Sequence, residues 1–369
     1  MSSYFIAGIV YMRNNIEILS FIEAGHVAIT ISMGFVALMR MLQTSLSHKC
    51  RDVIVTFIKK IHLFYYKDVS DYALQTHKTV NLILQGCTLM LFGQWVVCML
   101  SFNMIPVYRN YILGKFQHKV LTNSTYEHSV YIQFPFDAYR NFNGYLVALL
   151  VNLVCTYTCS SWFIMLDLML FFIVFHVWGH YQILLYDLSA FPLPVGKEII
   201  QIKNESVDVA VYSKEELKVV SKKLKECVEY HLFITDFINK MSDAFGSILF
   251  VYYTFYQSSL CLLLLECSEM TTQALILYGP MTAVLFQQLI QISVTFELIG
   301  TASEKLKDAV YGVPWEYMDD KNRRTVAIFL VNVQEPVHIN ALGLARVGVT
   351  SMVTIIKTSF TYFTFLRSL

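Results

Sequence analysis

Six stretches of the chain are apolar over a length that matters, and the polar segments between them differ in charge. The runs lie at 24–42, 80–105, 145–166 with a continuation, 245–265, 274–299 and 341–366. Each reaches or approaches the roughly 20 residues that carry an α-helix across a bilayer. The pattern predicts an all-α polytopic membrane protein. From Tyr145 to Leu188 the chain is apolar for about 44 residues, enough for a two-span hairpin or for one helix of about 66 Å. No Pro, and no Gly before Gly179, is there to make a turn. One long helix is therefore expected, ended by Phe191-Pro-Leu-Pro194. Residues 195–212 read as a polar linker without periodicity. Beyond it, Leu217, Val220, Leu224, Cys227 and Val228 recur at helical spacing among Lys and Glu. They predict a charged amphipathic helix over 213–241 that runs directly into the 245–265 span. Helices longer than the bilayer is thick imply a bundle beneath it.

Charge sets the orientation. Lys49, Arg51, Lys59, Lys60, Lys67 and Lys78 follow the first run, and seven lysines lie between Lys197 and Lys225. Lys305, Lys307, Lys321, Arg323 and Arg324 precede the last run. Segments 107–142 and 266–273 are poor in basic residues, so the three rich loops are cytoplasmic by the positive-inside rule. Both termini of six spans would then lie outside. The short apolar segment Phe5 to Met12 reads as the remnant of a seventh span, which returns the N-terminus to the inside and leaves the first helix truncated. Asn123-Ser-Thr125 fits the N-glycosylation pattern on the outer side.

Composition narrows the function. Apolar residues make up 56% of the 369 and charged ones 15%, where a soluble domain carries about a quarter charged. A net charge of +1 offers no basic stripe for nucleic acid. Of eight cysteines, Cys87, Cys98, Cys155, Cys159 and Cys261 fall in apolar spans. Cys50 and Cys227 are placed in charged loops and Cys267 in a short polar one, a packing pattern rather than a disulfide framework.

Chemistry-bearing motifs are few. His176 and His180 share a helix face at the spacing of two metal ligands, with no third ligand nearby. Polar groups at the membrane boundary account for them better. No zinc-protease, nucleophile-elbow or phosphate-loop motif is present, so neither an enzyme nor a cofactor or metal is expected. Asp167 sits inside the long helix beside Thr158-Cys-Ser-Ser161, either as an intramembrane carboxylate or near the inner interface. Gln287, Gln288, Gln291 and Glu297 make the 274–299 run polar on one side, as interhelical glue or as a wet passage. On the last helix Thr354, Thr358, Thr361, Phe365 and Ser368 form a stripe. Two readings of it stand: a pore face of hydroxyls with one apolar ring, or threonines bonded to their own backbone. The outer halves of the spans supply candidate walls for a small apolar ligand: Phe21, Ile22, His26, Trp95, Val96, Met99, Leu149, Tyr157, Tyr278, Met281 and Thr282.

The order of motifs resembles the insect odorant receptors. The residues that carry the likeness are Tyr311-Gly-Val-Pro-Trp315, the basic run after it, Gln334-Glu-Pro336 and Lys357-Thr-Ser-Phe-Thr-Tyr-Phe363. Phe134-Pro-Phe-Asp137 and the Cys227 to His231 spacing are similar too. The resemblance covers the chain from about Asn15 to its end. It implies an inverted seven-helix subunit of a tetrameric ligand-gated cation channel, assembled with the odorant receptor co-receptor through the cytoplasmic helices. It implies a small hydrophobic odorant between the spans, membrane lipid around them, and a last helix that lines the pore, with Phe365 the better gate candidate. The divisions are then 1–190 for the membrane helices (a remnant, then spans near 16–46, 78–106 and 143–190), 191–212 for the linker and 213–300 for the long helix and next span. An anchor helix at 301–340 and the pore helix at 341–369 complete them. The co-receptor's long cytoplasmic insertion is absent, which implies a ligand-tuning subunit in the sensory-neuron dendrite. A gustatory-type receptor, whose ending carries a Gln that Thr361-Tyr-Phe-Thr-Phe365 lacks, is one alternative. A G-protein-coupled receptor would need a cytosolic C-terminus, and a transporter would show internal repeats.

Overall fold

A computed structural model describes residues 2–117, 121, 124–202, 205–268 and 272–368. It is built on nine helices among those residues: α1 (Ser2–Asn15), α2 (Phe21–Leu46), α3 (His48–Thr56), α4 (Asp71–Ile112), α5 (Phe142–Ser189), α6 (Lys214–Ser268), α7 (Thr272–Tyr311), α8 (Asp320–Asn332) and α9 (Val349–Ser368). Among the described residues α2, α4, α5, α6 and α7 are long and apolar enough to cross a membrane. This is a multi-pass membrane protein. The last helix, α9, carries Thr, Ser and Lys357 among its apolar residues.

Polar residues start the helices. Ser20 and Glu23 form a capping box at α2: the Glu23 N–H donates to Ser20 Oγ, and the Ser20 N–H to Glu23 Oε2. Ser213 and Glu216 repeat it at α6. Ser70 caps α4, Asn141 caps α5 and Asp319 caps α8. Each side-chain oxygen meets one of the N–H groups that a helix start leaves without a partner.

The long helix is unbroken. With 48 residues α5 is about 72 Å long, and the 55 residues of α6 make about 82 Å. The hydrocarbon core is about 30 Å thick. The excess of both, with the first turns of α4 and the last of α7, lies on the lysine-rich side, where α8 packs on α6 and α7. His180 locks this bundle. Its Nε2 meets the Ile61 carbonyl at 2.5 Å and its Nδ1 the Tyr230 hydroxyl at 2.6 Å. One turn of π-helix, Phe57–Ile61, brings that carbonyl into reach. Gly179 beside it leaves room for Leu63, since a Cβ there would stand 2.5 Å from Leu63 Cδ1 and force that side chain to shift.

Several sequence expectations change. Residues 195–212 are not featureless: β1 (Lys197–Ile202) pairs antiparallel with β2 (Glu205–Ala210). The Ser-Val-Asp-Val-Ala alternation from Ser206 was the available signal. Residues 301–340 are not one anchor helix, because α7 continues to Tyr311 before α8 begins. Two short strands, β3 (Asn340–Ala341) and β4 (Ala345–Arg346), then precede α9. Cys50 and Cys227 are buried in α3 and α6 rather than placed in loops, and all eight cysteines are free thiols. The Phe5 to Met12 segment lies within α1, about 21 Å long, which packs on α2.

Candidate functional site

Between α2, α4, α5 and α7 lies a cavity of about 290 Å³ with mostly apolar walls. Its place follows from how the helices run. It takes α4 from Leu91 to Ile105, the half of that helix away from the basic side, and α5 from Thr156 to Asp167. Residues of α4 meet it at helical spacing: Leu91, Gln94 and Trp95, Cys98 and Met99, Phe102 and Asn103. On α5 the same rule gives Thr156, Cys159 and Ser160, Phe163 and Asp167. Thr30, Met33 and Gly34 of α2 complete one wall, and Pro280, Met281, Val284, Leu285 and Gln288 of α7 another. Tyr4 of α1 and Val130 of the outer loop also line it.

Hydrogen bonds fix the walls. Trp95 Nε1 donates to Ser160 Oγ at 2.9 Å, so its ring stands as a fixed aromatic face. Asn103 donates to Thr156 Oγ1 at 3.1 Å and accepts from the Ser129 hydroxyl at 3.2 Å, tying α4, α5 and the outer loop together. That loop is anchored over the outer end. Asn152 donates to the Val130 carbonyl at 3.0 Å, and the His26 ring meets the Ser129 carbonyl at 3.1 Å. Asn110 makes a two-way pair with the Glu127 backbone, at 2.8 and 2.9 Å, while Arg109 pairs with the Glu127 carboxylate at 3.1 Å. His128 is sealed inside the loop against the Ala138 carbonyl, and burial pushes its pKa down to about 4.

At the inner end lies an ion pair that sequence reading did not find as a pair. Arg40 of α2 is 1% exposed and stands 3.1 Å from Asp167. Its guanidinium is stacked over Tyr252, 3.8 Å from the ring centroid, and over Phe163 at 4.5 Å. Asp167 is thus buried at the cavity floor. An arginine inside the predicted 24–42 run was the signal, since a lone buried cation there requires a carboxylate partner.

Of the residues proposed from sequence as ligand walls, Trp95, Met99 and Met281 line this cavity. Five others lie off it. The His26 ring stacks on Phe102 at 6.4 Å, behind the wall. Tyr157 packs on Trp95 from outside at 5.6 Å, Val96 is half-buried off the cavity, and Leu149 joins the Tyr126–Tyr145 cluster. Thr282 is buried near Cys267, with 3.5 Å between Oγ1 and Sγ. The side chains of Phe21, Ile22, Tyr278 and Ser368, and all of Asn123, lie outside the described residues. Tyr4, Phe102 and Asn103 were missed, although the α4 pair follows from Trp95 at the helical period.

On α9, Ile355 and Ser359 face α6 and α7, while Thr354, Thr361 and Phe365 are exposed and Thr358 is partly so. Each of the three threonine hydroxyls donates to the carbonyl four residues back, at 2.6 to 3.0 Å. His176 and His180 do not converge: His176 bonds the Phe172 carbonyl, and both ring nitrogens of His180 are engaged. Among the described residues no cluster of three or more His, Cys, Asp or Glu is arranged to hold a metal.

Comparison with known proteins agrees with this architecture. The 7tm Odorant receptor family model matches residues 20–360. Odorant receptor 22b of Drosophila melanogaster is 23% identical over 152 residues, covering 40% of this chain and 37% of that relative. The fold is similar to that of the olfactory receptor OR5 from Machilis hrabei in complex with eugenol. The TM-score is 0.77 at 13% identity, over 100% of this chain and 88% of the other. A second structure of the same receptor gives 0.75, with 13% identity over 99% of this chain and 86% of the other.

Proposed function

The chain belongs to the 7tm odorant receptor family, and on that premise we propose that it is the ligand-tuning subunit of a ligand-gated, non-selective cation channel. It opens to small volatile hydrophobic molecules in the dendritic plasma membrane of olfactory sensory neurons. The observation that carries this reading is the cavity of about 290 Å³, with Trp95, Met99 and Met281 on its walls and the outer loop over its end. Apolar walls with a few fixed polar groups suit a small, largely apolar ligand. OR5, which shares the fold, was solved with eugenol; what transfers to this chain is only the class of small organic ligand.

The pore belongs to α9. Thr354, Thr358, Thr361 and Phe365 form a face that this chain does not itself cover, as a helix at a symmetric axis would require. Ser368 continues the stripe, and Asn123 is the glycosylated residue of the outer segment. Around the axis stand copies of the odorant receptor co-receptor, which complete a heterotetramer through the inner bundle and the segment 301–340. A ligand opens the pore only by binding the open state more tightly than the closed one.

The test is co-expression with the co-receptor and recording of odorant-evoked current. Met281→Trp, which fills the cavity, should abolish the response while surface expression persists. Unchanged dose–response curves in that variant would sink the cavity as the ligand site.

A further inference from the structure

The cavity lining is mostly apolar, and among its polar groups the Tyr4 hydroxyl, Asp167 and Gln94 are incompletely satisfied. Asp167 is 7% exposed and lines the cavity. Its Oδ1 is ion-paired with Arg40 Nη1 at 3.1 Å, and among the described residues no further donor reaches it. The Arg40 Nη1 hydrogen bond goes instead to the Phe163 carbonyl at 2.9 Å. Gln94, on the facing helix α4, uses its carbonyl oxygen for Gln287 at 3.3 Å and leaves a buried Nε2 without an acceptor. An acceptor with spare capacity and a donor without a partner therefore both line the cavity.

We propose that the ligand's polar head is a neutral hydroxyl, an alcohol or a phenol, which donates its hydrogen bond to Asp167 Oδ1 at the inner end of the cavity. This rests on the reading of the cavity as the ligand site. The charge balance chooses the head group. Arg40 already neutralises Asp167, so an ammonium ligand gains no net attraction and meets a guanidinium as well. A carboxylate would face Asp167 itself. A ketone or ester can accept from Gln94 but has nothing to give Asp167. A hydroxyl is neutral and small, and it donates to a carboxylate oxygen as a ketone or ester does not. The pair also joins this head to other helices: Arg40 is on α2, and it stacks on Tyr252 of α6, the helix against which α9 packs.

The test compares three ligands of equal length, 1-octanol, 2-octanone and octylamine, by the thermal shift each gives the purified full-length chain. The half-maximal concentration for 1-octanol should be lower than for the other two by at least about tenfold, the worth of one hydrogen bond to a charged group. The double variant Arg40→Met/Asp167→Leu removes the pair without leaving a lone buried charge. In it 2-octanone binding should persist and the advantage of the alcohol should fall to within about threefold. Equal potency in the wild type, an advantage that survives in the double variant, or no shift with 1-octanol overturns the proposal. Met281→Trp separates the two readings. If it leaves 1-octanol binding unchanged, the cavity is not the ligand site. If it abolishes binding of all three ligands while the pair has no effect on their ratio, only the hydroxyl assignment falls.

Discussion

Glu297 of α7 holds the first turn of α9: its Oε2 accepts the Val349 N–H at 2.9 Å. A carboxylate there meets an unpaired donor and faces the positive end of the helix dipole. Gly348 makes the approach possible, since a Cβ at that position would lie 2.3 Å from Glu297 Oε2. Thus α7, a wall of the cavity, fixes where the proposed pore helix begins. Glu297→Ala should cost about 1 kcal/mol, the usual worth of an N-cap. Amide exchange at residues 349–352 should quicken while α7 stays protected. Unchanged exchange across that turn would show that the cap is incidental.

The inner bundle depends on His180 in the same way. It serves a buried carbonyl, Ile61, and a tyrosine hydroxyl, Tyr230, from two different elements. His180→Phe fills similar space but leaves both without a partner. The expected loss is about 1–3 kcal/mol, seen as a lower midpoint in thermal unfolding of the purified chain. A midpoint within error of the wild type would mean that packing alone holds the bundle.

How much of this was legible depends on which force set each feature. The unbroken α5 was readable because a turn usually takes Pro or Gly, and the stretch from Tyr145 to Leu188 has no Pro and no Gly but Gly179. Trp95, Met99 and Met281 were readable because apolar periodicity marks a packed face. Leu149 and Tyr157 were assigned to the same face and lie off it, because one apolar helix inside a bilayer is apolar all round and its period carries little direction. The Arg40–Asp167 pair was half legible. Each residue stands out alone, but the chain does not say that positions 127 apart meet. Nor does it say that the α9 threonines bond their own carbonyls, which is local geometry that both readings of the stripe allow.

The outer loop carries a pH dependence with a definite sign. His128 titrates at about 4 in the folded chain because burial disfavours its charge, against about 6.5 when unfolded. Between those values the unfolded chain binds more protons, so stability rises with pH across that window. The contribution is complete above about pH 6.5 and is lost as pH falls through about 4, up to about 3 kcal/mol in all. His128→Gln, which keeps a donor for the Ala138 carbonyl, should flatten this part of the profile. A pH–stability slope identical in the two proteins would exclude His128 as its source.

The faces of α9 make opposite predictions for a thiol probe applied from the outer side of the co-expressed channel. Ser359 is fully buried and donates to the Gln257 carbonyl at 3.4 Å, and Ile355 packs beside it. Thr361 and Phe365 are exposed on the face this chain leaves uncovered. Thr361→Cys and Phe365→Cys should therefore react with a water-soluble methanethiosulfonate and change the evoked current, faster when ligand is present. Ser359→Cys should stay inert. Phe365→Ala should in addition raise the current without ligand, because removing an apolar ring weakens closure by dewetting. Modification of Ser359→Cys at the rate of Thr361→Cys would rule out the proposed pore face. A lipid-facing stripe predicts a third pattern, with neither face reacting, since the probe does not enter hydrocarbon.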